Sequence, residues 1–430
     1  MAVNLCVRII LLLTVVAFRQ DSKVHGQSTA AFEDCTQDQF HCGQGQCIPV
    51  EYMCDSVSQC SNGADEGESC AKDLGGWSRL LSDKHFTIMN PLQHFRNLFE
   101  KIDTCALEHV PDGCICKRAT RLQCARQGWT SVPKDIPRET TALYLQDNEI
   151  TDLNPESFLE LHQLTLMSLK GNKLKEIPYG VFDQLGKLTK LYLNENELAV
   201  VHPGAFKGLR SLTWMILSNN RFSAFSVGMF IGLDKLYYLD ITGNDIRRLD
   251  AKVFEELPAL EWLNMDGNHL QKLEPNDFPV KNMIEVLALN DNSISFVAED
   301  AFRNTRGLID LGLSGNNISS LASGTFGNLT HLTDLDLSDN PLTSLPVDIF
   351  RNLTALRKLD LHNVVISNIE EEMFESLENL QHLYVSSPEY CCYSLNAQFC
   401  MTDDAIMPVQ CDYQVAVHVD VPSQEPTNDH

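Results

Sequence analysis

The sequence is poor in basic residues: 33 Lys and Arg stand against 58 Asp and Glu, which gives a formal net charge of −25 at pH 7. Nucleic-acid binding needs a basic footprint against the phosphates, so this composition argues against a nucleic-acid partner. The acidic excess suits a basic partner or a cation such as calcium. A second interpretation, in which the charge serves solubility alone, fits the composition equally well.

Long apolar runs are also lacking. The apolar stretch at residues 9–18 (IILLLTVVAF) is too short for a membrane span and has the pattern of a signal peptide, which we assign to residues 1–26. No clear cleavage motif is present, so the break is placed between residues 18 and 31. An N-terminal anchor is the alternative interpretation. No later stretch approaches the ~18 apolar residues of a membrane helix, so the chain as given is not expected to cross a bilayer.

No free cysteine is expected in the mature chain. Cys6 lies in the signal peptide, and the other 14 cysteines form even-numbered clusters in residues 35–70, 105–124 and 391–411. Such clusters after a signal peptide predict disulfides and an oxidising compartment. Glycosylation sequons at Asn317, Asn328 and Asn352 agree with a secreted or extracellular location.

An internal repeat dominates the chain. Asparagine recurs every 24 residues from position 148 to 340, and phenylalanine recurs every 24 residues from position 158 to 374. The local pattern L-x-x-L-x-L-x-x-N, seen at residues 188–196, is identified as the leucine-rich repeat. It predicts an α+β solenoid, a horseshoe with a parallel inner sheet, over residues 138–386, with nine to eleven strands in about 10–11 repeats.

Each repeated residue has a physical task. The L-x-L segment predicts a short strand with leucines inward. An asparagine carboxamide both donates and accepts, so the ladder asparagines are expected to satisfy backbone groups from one repeat to the next. The phenylalanines are expected to fill the outer half of each coil. The ladder position holds Val364 near the end, where atypical repeats are expected.

The ends of the repeat array need caps, because a solenoid end exposes its core. The N-terminal cap is assigned to residues 105–137, and its resemblance to known repeat caps implies the disulfides Cys105–Cys116 and Cys114–Cys124. Residues 387–430 are assigned to a C-terminal cap and tail. Three pairings are open for its cysteines, although an adjacent pair rarely bonds to itself: Cys391, Cys392, Cys400 and Cys411.

A small cysteine-rich module occupies residues 35–70 and carries six acids but no Lys or Arg. So short a segment has little core, so disulfides and a metal are expected to hold it. Its end, with Asp55 after Cys54 and the pair Asp65–Glu66 before Cys70, resembles the low-density-lipoprotein-receptor class A module.

That resemblance implies a structural Ca²⁺ held by oxygen ligands. The implied ligands are the carboxylates of Asp55, Asp65 and Glu66 and the backbone carbonyls of Tyr52 and Val57. The family usually has Asp where this chain has Gln59, so a neutral carbonyl replaces a carboxylate and a weaker calcium affinity is expected. Alternatively the acids only solvate the module. The implied disulfides are Cys35–Cys47, Cys42–Cys60 and Cys54–Cys70.

A class A module, a linker at residues 71–104, a cysteine cap and an array of 24-residue repeats together resemble the ectodomain of the relaxin receptors, which couple to G proteins. The segment from residue 361 to 391, where the ladder asparagine is absent, carries this resemblance most specifically. It implies a relaxin- or insulin-like peptide bound to the inner sheet. The family's seven-helix membrane domain is absent before His430, so a soluble form, a fragment or an incomplete gene model is expected. A chain that continued past His430 would place the protein in the plasma membrane.

The outward strand positions define a candidate ligand-binding face that is aromatic at its centre and acidic toward its C-terminal end. Such a face suits a basic peptide with an apolar anchor. The family's acid ladder is incomplete, since Asn264 stands beside Asp266. Alternatively, the two tryptophans pack against each other or the linker. The candidate residues are Trp214, Tyr238, Asp240, Trp262, Asn264, Asp266, Asp310, Asp334 and Asp336.

Three functions compete: a hormone-receptor ectodomain, a secreted leucine-rich-repeat matrix or adhesion protein, and an enzyme. The class A module and the segment from Val364 to Cys400 favour the receptor. No Ser/His/Asp or Cys/His set stands out, and nothing in the sequence is expected to bury the paired carboxylates and shift their pKa. We therefore predict a protein that is not an enzyme.

Overall fold

The computed structural model describes residues 39–43, 46–49, 105–117, 119–367, 369–386, 399–402 and 405–407. The chain divides into two compact units, Met1–Lys101 and Ile102–His430. In the first unit, β1 (Gln39–Gly43) and β2 (Gln46–Pro49) pair antiparallel. The signal peptide, all six calcium positions from Tyr52 to Glu66 and the linker lie outside the described residues. The side chains of every cysteine in the module and in the C-terminal cap also lie outside the description.

The second unit is built on one 15-stranded sheet. Its cap strands are β3 (Ile115–Lys117) and β4 (Arg121–Gln123) at one end and β20 (Phe399–Thr402) and β21 (Ala405–Met407) at the other. The repeat strands between them are β5 (Ala142–Tyr144), β6 (Leu166–Ser168), β8 (Lys190–Tyr192), β10 (Trp214–Ile216), β11 (Tyr238–Asp240), β12 (Trp262–Asn264), β14 (Val286–Ala288), β16 (Asp310–Gly312), β17 (Asp334–Asp336), β18 (Lys358–Leu361) and β19 (His382–Val385).

The repeat strands pair parallel and in register, each residue opposite the one 24 places later, as Leu239 lies opposite Leu263. The middle residue of each strand points inward and is buried, because side chains alternate between the two sides of a strand. The eleven repeat strands confirm the predicted parallel sheet and the number of strands expected from the period.

The outer side of the coils has little regular structure. Two parallel ribbons lie there, β7 (Glu176–Ile177) with β9 (Val200–Val201) and β13 (Lys272–Leu273) with β15 (Phe296–Val297). Within the described ranges the only helices are α1 (Ala251–Phe254) and one 3-10 turn, Glu371–Met373. Neither is long enough or apolar enough to cross a membrane.

The ladder asparagines join each coil to the next. Asn220 is typical: its Nδ2 donates to the carbonyls of Leu193 (3.0 Å) and Leu217 (2.9 Å), and its Oδ1 accepts from the Leu198 N–H (3.0 Å). One carboxamide therefore satisfies backbone groups in two successive repeats, as predicted. The same pattern continues to Asn340, whose Nδ2 donates to Leu313 and Leu337. Val364 is buried at the next ladder position, where it ends the series.

The recurrent phenylalanines form a buried column on the other side of the core. The rings of Phe158, Phe182 and Phe206 follow one another with centroids 5.9 and 6.0 Å apart. All ten members are nearly inaccessible to solvent, which confirms that they fill the coil interior. The column and the leucines form one apolar core along the array.

The N-terminal cap closes this core with disulfides. Cys105 is bonded to Cys116 and Cys114 to Cys124, the pairing that the resemblance implied. β3 and β4 run antiparallel, and β4 then pairs parallel with β5, so the cap extends the sheet of the repeats.

Replacing Asn220 with Ala should destabilise the fold by roughly 2–5 kcal/mol, because the buried Leu198 N–H loses its acceptor and the buried carbonyls of Leu193 and Leu217 each lose one of two donors. Chemical denaturation of the secreted chain measures this loss. Gln271→Ala removes an exposed amide and serves as the control, with an expected change within about 0.5 kcal/mol. Equal stability of the two variants would contradict the structural role of the ladder.

Candidate ligand-binding face

The first and third residues of the repeat strands point away from the core and form two rows, which we call the strand face. In-register pairing places equivalent residues of successive repeats side by side, about 4.8 Å apart. The first row from β8 to β19 is Lys190, Trp214, Tyr238, Trp262, Val286, Asp310, Asp334, Lys358 and His382. The third-residue row is Tyr192, Ile216, Asp240, Asn264, Ala288, Gly312, Asp336, Asp360 and Tyr384.

The aromatic cluster, Trp214, Tyr238 and Trp262, lies at the centre of the first row. The Trp214 and Tyr238 rings stack in parallel with centroids 3.6 Å apart, and the Tyr238 and Trp262 rings lie 6.4 Å apart. The Lys190 Nζ sits 5.5 Å from the centroid of the Trp214 ring, within the range of a cation–π contact.

This stacking corrects the expectation of exposed aromatics. Tyr238 is 6% exposed and Trp262 is 8% exposed, because each ring is covered by its neighbours along the row. Burial is also the main reason that the pKa of the Tyr238 hydroxyl is raised. Tyr238 lies between the two tryptophans and each of them packs on it, so the tryptophans do not pack on each other; the alternative of packing against the linker involves residues outside the described ranges.

Next to the aromatic cluster the strand face carries small side chains, and we call this low stretch the recess. β14 contributes only Val286 and Ala288, and β16 contributes Gly312 in the third-residue row. These small residues lie between the Trp262 ring of β12 and the carboxylates of β17. The distance from β12 to β17 spans three strand steps, about 14 Å, and Val286, Ala288 and Gly312 are themselves buried.

Asp310 lies at the edge of this recess and is 2% exposed. Within the described part of the chain, its Oδ2 has no hydrogen-bond partner. Burial, followed by the charge of Asp334, raises the pKa of the Asp310 carboxyl well above its usual range. The expectation that nothing buries the carboxylates of this face is therefore wrong, because the flanking side chains of two in-register strands enclose Asp310.

The acidic cluster comprises Asp310, Asp334, Asp336 and Asp360. Thr333 donates its hydroxyl to Asp334 Oδ2 (2.7 Å), and Ser338 donates its hydroxyl to Asp336 Oδ1 (2.6 Å). Burial, and next the charge of Asp360, raises the pKa of Asp336. Burial therefore makes ionisation of Asp310 and Asp336 costly without a nearby cation.

Several candidate residues also have a structural task at the end of their strand. Asp240 Oδ1 accepts the N–H of Thr242 (2.9 Å), and Asn264 Oδ1 accepts the N–H of Asp266 (3.0 Å). Asp336 and Asp360 make the same bond to the residue two places later. This is the Asx turn that leads the chain out of the sheet, so one oxygen of each side chain is already engaged.

Asp266 acts across two repeats, since its Oδ1 accepts the Asn290 N–H (2.7 Å). It therefore borders the recess while one of its oxygens holds the neighbouring turn. Asp240 is largely buried, and this burial raises the pKa of its carboxyl against the opposing effect of its hydrogen bonds with Thr242 and Ser218.

Two further residues beside this face were not among the candidates from the sequence, namely His362 and Tyr384. The rows were counted back from ladder asparagines, and the ladder position after these strands is not asparagine. Continuing the 24-residue period past Asn340 would have found both. Tyr384 lies under Lys358, whose Nζ is 5.1 Å from the ring centroid. Burial lowers the pKa of Lys358, but Asp360, Tyr384, Asp336 and Asp334 together raise it above its ordinary value.

His362 closes the acidic cluster on its C-terminal side. Its Nδ1 lies 2.6 Å from Asp360 Oδ1, and its Nε2 lies 3.4 Å from Asp339 Oδ2. The hydrogen bond to Asp360 is the largest cause that raises the pKa of His362 from 6.5 to about 9. The four carboxylates of the acidic cluster thus face two cations, Lys358 and His362, and the Asp310 end of the cluster is the part most distant from both.

The repeats match the leucine-rich repeat family over residues 138–198, 167–222, 186–246, 210–270, 283–342 and 330–387, more than half of the chain. The chain belongs to the leucine-rich repeat family. Residues 33–70 match the low-density lipoprotein receptor domain class A.

Relaxin receptors are among the curated proteins that the chain resembles. The chain is 34% identical over 131 residues to relaxin receptor 1 of Rattus norvegicus, covering 30% of this chain and 17% of that receptor. It is 33% identical over 139 residues to relaxin receptor 2 of Homo sapiens, covering 32% of this chain and 17% of that receptor. The resemblance to relaxin receptor ectodomains is confirmed. The matched part of this chain spans only about a sixth of the length of those receptors.

A solved structure supports the fold alone. The Toll–Spatzle complex of Drosophila contains a chain that aligns with a TM-score of 0.58 at 23% identity, covering 63% of this chain and 37% of that one.

Replacing His362 with Gln should lower stability in a pH-dependent way. A raised folded-state pKa stabilises the fold fully below 6.5 and ceases to do so as the pH rises through about 9. We expect a loss of about 1 kcal/mol at pH 6, discounted for solvent screening, and little loss at pH 10. Denaturant titrations at the two pH values test this. An equal loss of stability at the two pH values would contradict the role assigned to His362. The same pH dependence of the His362→Gln effect in a chain that also carries Asp360→Asn would contradict the role assigned to Asp360.

Proposed function

We propose that this chain is the extracellular ligand-binding region of a receptor for a relaxin- or insulin-like peptide hormone, and that the peptide binds on the strand face. The domain composition and the similarity to relaxin receptors support a receptor ectodomain. The observation that most supports binding on the strand face is that a buried carboxyl, Asp310, lies beside the recess between the aromatic and acidic clusters.

The charge of the face favours a basic ligand. A carboxyl whose pKa is raised by burial gains free energy when a cation binds beside it, because the cation offsets the cost of ionising a desolvated acid. Lys358 is the in-register neighbour of Asp334 and His362 is hydrogen-bonded to Asp360, so the ligand cation is expected next to Asp310.

The recess supplies the apolar part of the site. An aliphatic side chain of the ligand placed against Val286 and the Trp262 ring would cover the little exposed surface that Asp310 retains. Exclusion of water strengthens the ion pair that the carboxyl forms with the ligand. A peptide carrying a basic and an aliphatic side chain on the same side satisfies both parts, and this pairing is the chemistry we assign to the ligand.

A binding role follows from this arrangement rather than catalysis. The carboxyl pair of buried Asp310 and half-buried Asp334 is the strand-face group whose environment most resembles a catalytic site. This pair lies on a broad strand face, and the chain resembles receptors. Both points support a protein that is not an enzyme. The alternative of a secreted matrix or adhesion protein predicts no affinity for such peptides.

Asp310→Asn and Asp334→Asn should each weaken peptide binding by about 2 kcal/mol, roughly 30-fold in Kd, because each removes one half of a desolvated ion pair. Surface plasmon resonance of the secreted chain against relaxin/insulin-like peptides measures this. Asp234→Asn, an exposed acid off the strand face, removes the same charge and should change Kd by less than about twofold.

If the two strand-face variants bind as the wild type does, the proposed site is wrong. If no peptide of this class binds the folded chain, the receptor function itself is wrong and the matrix alternative gains support.

We further propose that the class A module binds one structural Ca²⁺ through Asp55, Asp65 and Glu66, with the carbonyls of Tyr52 and Val57 and the amide of Gln59. The donor set consists of oxygens alone, which suits a hard cation. Residues 33–70 match a family of calcium-binding modules, which supports this assignment.

Asp65→Asn should weaken calcium binding of the full chain by about tenfold or more, because a carboxylate ligand becomes neutral. Isothermal titration with Ca²⁺ measures the affinity. Glu68→Gln removes an acid outside the ligand set and should leave the affinity unchanged. Equal affinities in the Asp65 variant and the wild type would exclude the assigned site.

A further inference from the structure

One edge of the C-terminal repeats carries no charge. This uncharged edge consists of residues 293–296, 317–320, 341–344 and 365–367, which follow the ladder position in four successive repeats. No Asp, Glu, Lys or Arg occurs in any of these segments, and none occurs from residue 311 to residue 333. In a chain with 21% charged residues and a net charge of −25, an edge four repeats long without charge is unexpected.

The same edge of the N-terminal repeats is charged. There the residue directly after the ladder asparagine is an acid in one repeat and a basic residue in the next, and the two side chains pair. Glu149 pairs with Lys173 at 3.1 Å, and Glu197 pairs with Arg221 at 3.2 Å. The series ends with His269, whose imidazole lies 3.5 Å from a carboxylate of the preceding repeat. The next residues in this column are Ser293, Asn317, Pro341 and Val365.

Apolar side chains are exposed along the uncharged edge. Phe296 is 56% exposed and Val365 is 79% exposed. Exposed apolar side chains on an uncharged strip favour association. A bulky polar group over this edge would oppose that association.

The sequence places an attachment point in the middle of it. Asn317-Ile318-Ser319 is an N-glycosylation sequon, and the Asn317 side chain is exposed. Phe296 lies in the repeat before Asn317 and Val365 lies two repeats after it, so both are about one or two coil spacings away. The disulfides of the N-terminal cap indicate the secretory compartment in which N-glycans are attached.

The other two sequons differ from this one. Asn328 is half-buried, and Asn352 donates its Nδ2 to the carbonyl of Gly327 (3.0 Å). Both occupy a different position in the repeat, two residues after the stacked phenylalanine. Asn317 therefore combines free exposure with a location on the uncharged edge.

We propose that Asn317 carries an N-linked glycan and that this glycan covers the uncharged edge. In the attachment, a bond forms between Asn317 Nδ2 and the anomeric carbon of an oligosaccharide. The bond from that carbon to the phosphate oxygen of a lipid-pyrophosphate donor breaks, and the amide nitrogen loses one proton. The bulky polar glycan then replaces the charges that keep the rest of the surface soluble. The assignment does not depend on the identity of the peptide ligand.

The test uses the full chain secreted from animal cells. Peptide mass spectrometry after enzymatic deglycosylation in H₂¹⁸O should show the conversion of Asn317 to ¹⁸O-labelled Asp. Ser319→Ala should remove this glycan while Asn317 is kept, and Ser320→Ala, a neighbouring exposed serine outside the sequon, should retain it. Unmodified Asn317 in the secreted wild type would overturn the proposal.

Hydroxyl-radical footprinting tests the covering role separately. Oxidation of Phe296 should rise several-fold in Ser319→Ala relative to Ser320→Ala. Tyr179 is 60% exposed on an N-terminal repeat and should be oxidised equally in both variants. Equal oxidation of Phe296 in the two variants would show that the glycan, although attached, does not cover the edge.

Discussion

The carboxamide of each ladder asparagine holds one coil of this protein to the next, and the rest of the structure depends on that link. Asn220 binds backbone groups at fixed offsets of 22 and 27 residues, so it allows one length for the repeat. A repeat one residue longer or shorter would leave these buried groups unpaired. The constant period of 24 residues follows from this requirement.

A fixed period turns sequence into rows on a surface. Trp214, Tyr238 and Trp262 stack because equivalent positions of parallel strands lie about 4.8 Å apart. The same spacing brings Asp310 beside Asp334, and the small residues of β14 and β16 leave the recess next to them. The candidate site is therefore a product of register: moving any of these residues by one position would turn its side chain into the core.

The sequence was sufficient to predict the repeats, the strand positions, the asparagine ladder and the phenylalanine column, because each depends on a period and a residue type. It was also sufficient to find the aromatic and acidic rows. Burial within the rows was not predictable in the same way. Whether Asp310 is enclosed depends on the rotamers of its neighbours and on the absence of a side chain at Gly312, and these are properties of packing. The Asx turns at Asp240 and Asn264 were not predicted for a similar reason. Their outward position on the strands indicated contact with a ligand rather than a hydrogen bond within a turn. His362 and Tyr384 were missed because the counting relied on asparagines that the last repeats lack.

The central claim is that a basic peptide occupies the strand face between the aromatic and acidic clusters. Carboxyl footprinting, in which accessible acids are coupled to an amine with and without saturating peptide, tests it most directly. The account predicts that labelling of Asp334 and Asp336 falls several-fold in the complex while labelling of Asp234 is unchanged. Unchanged labelling of Asp334 and Asp336 in a chain that is saturated with peptide would contradict it.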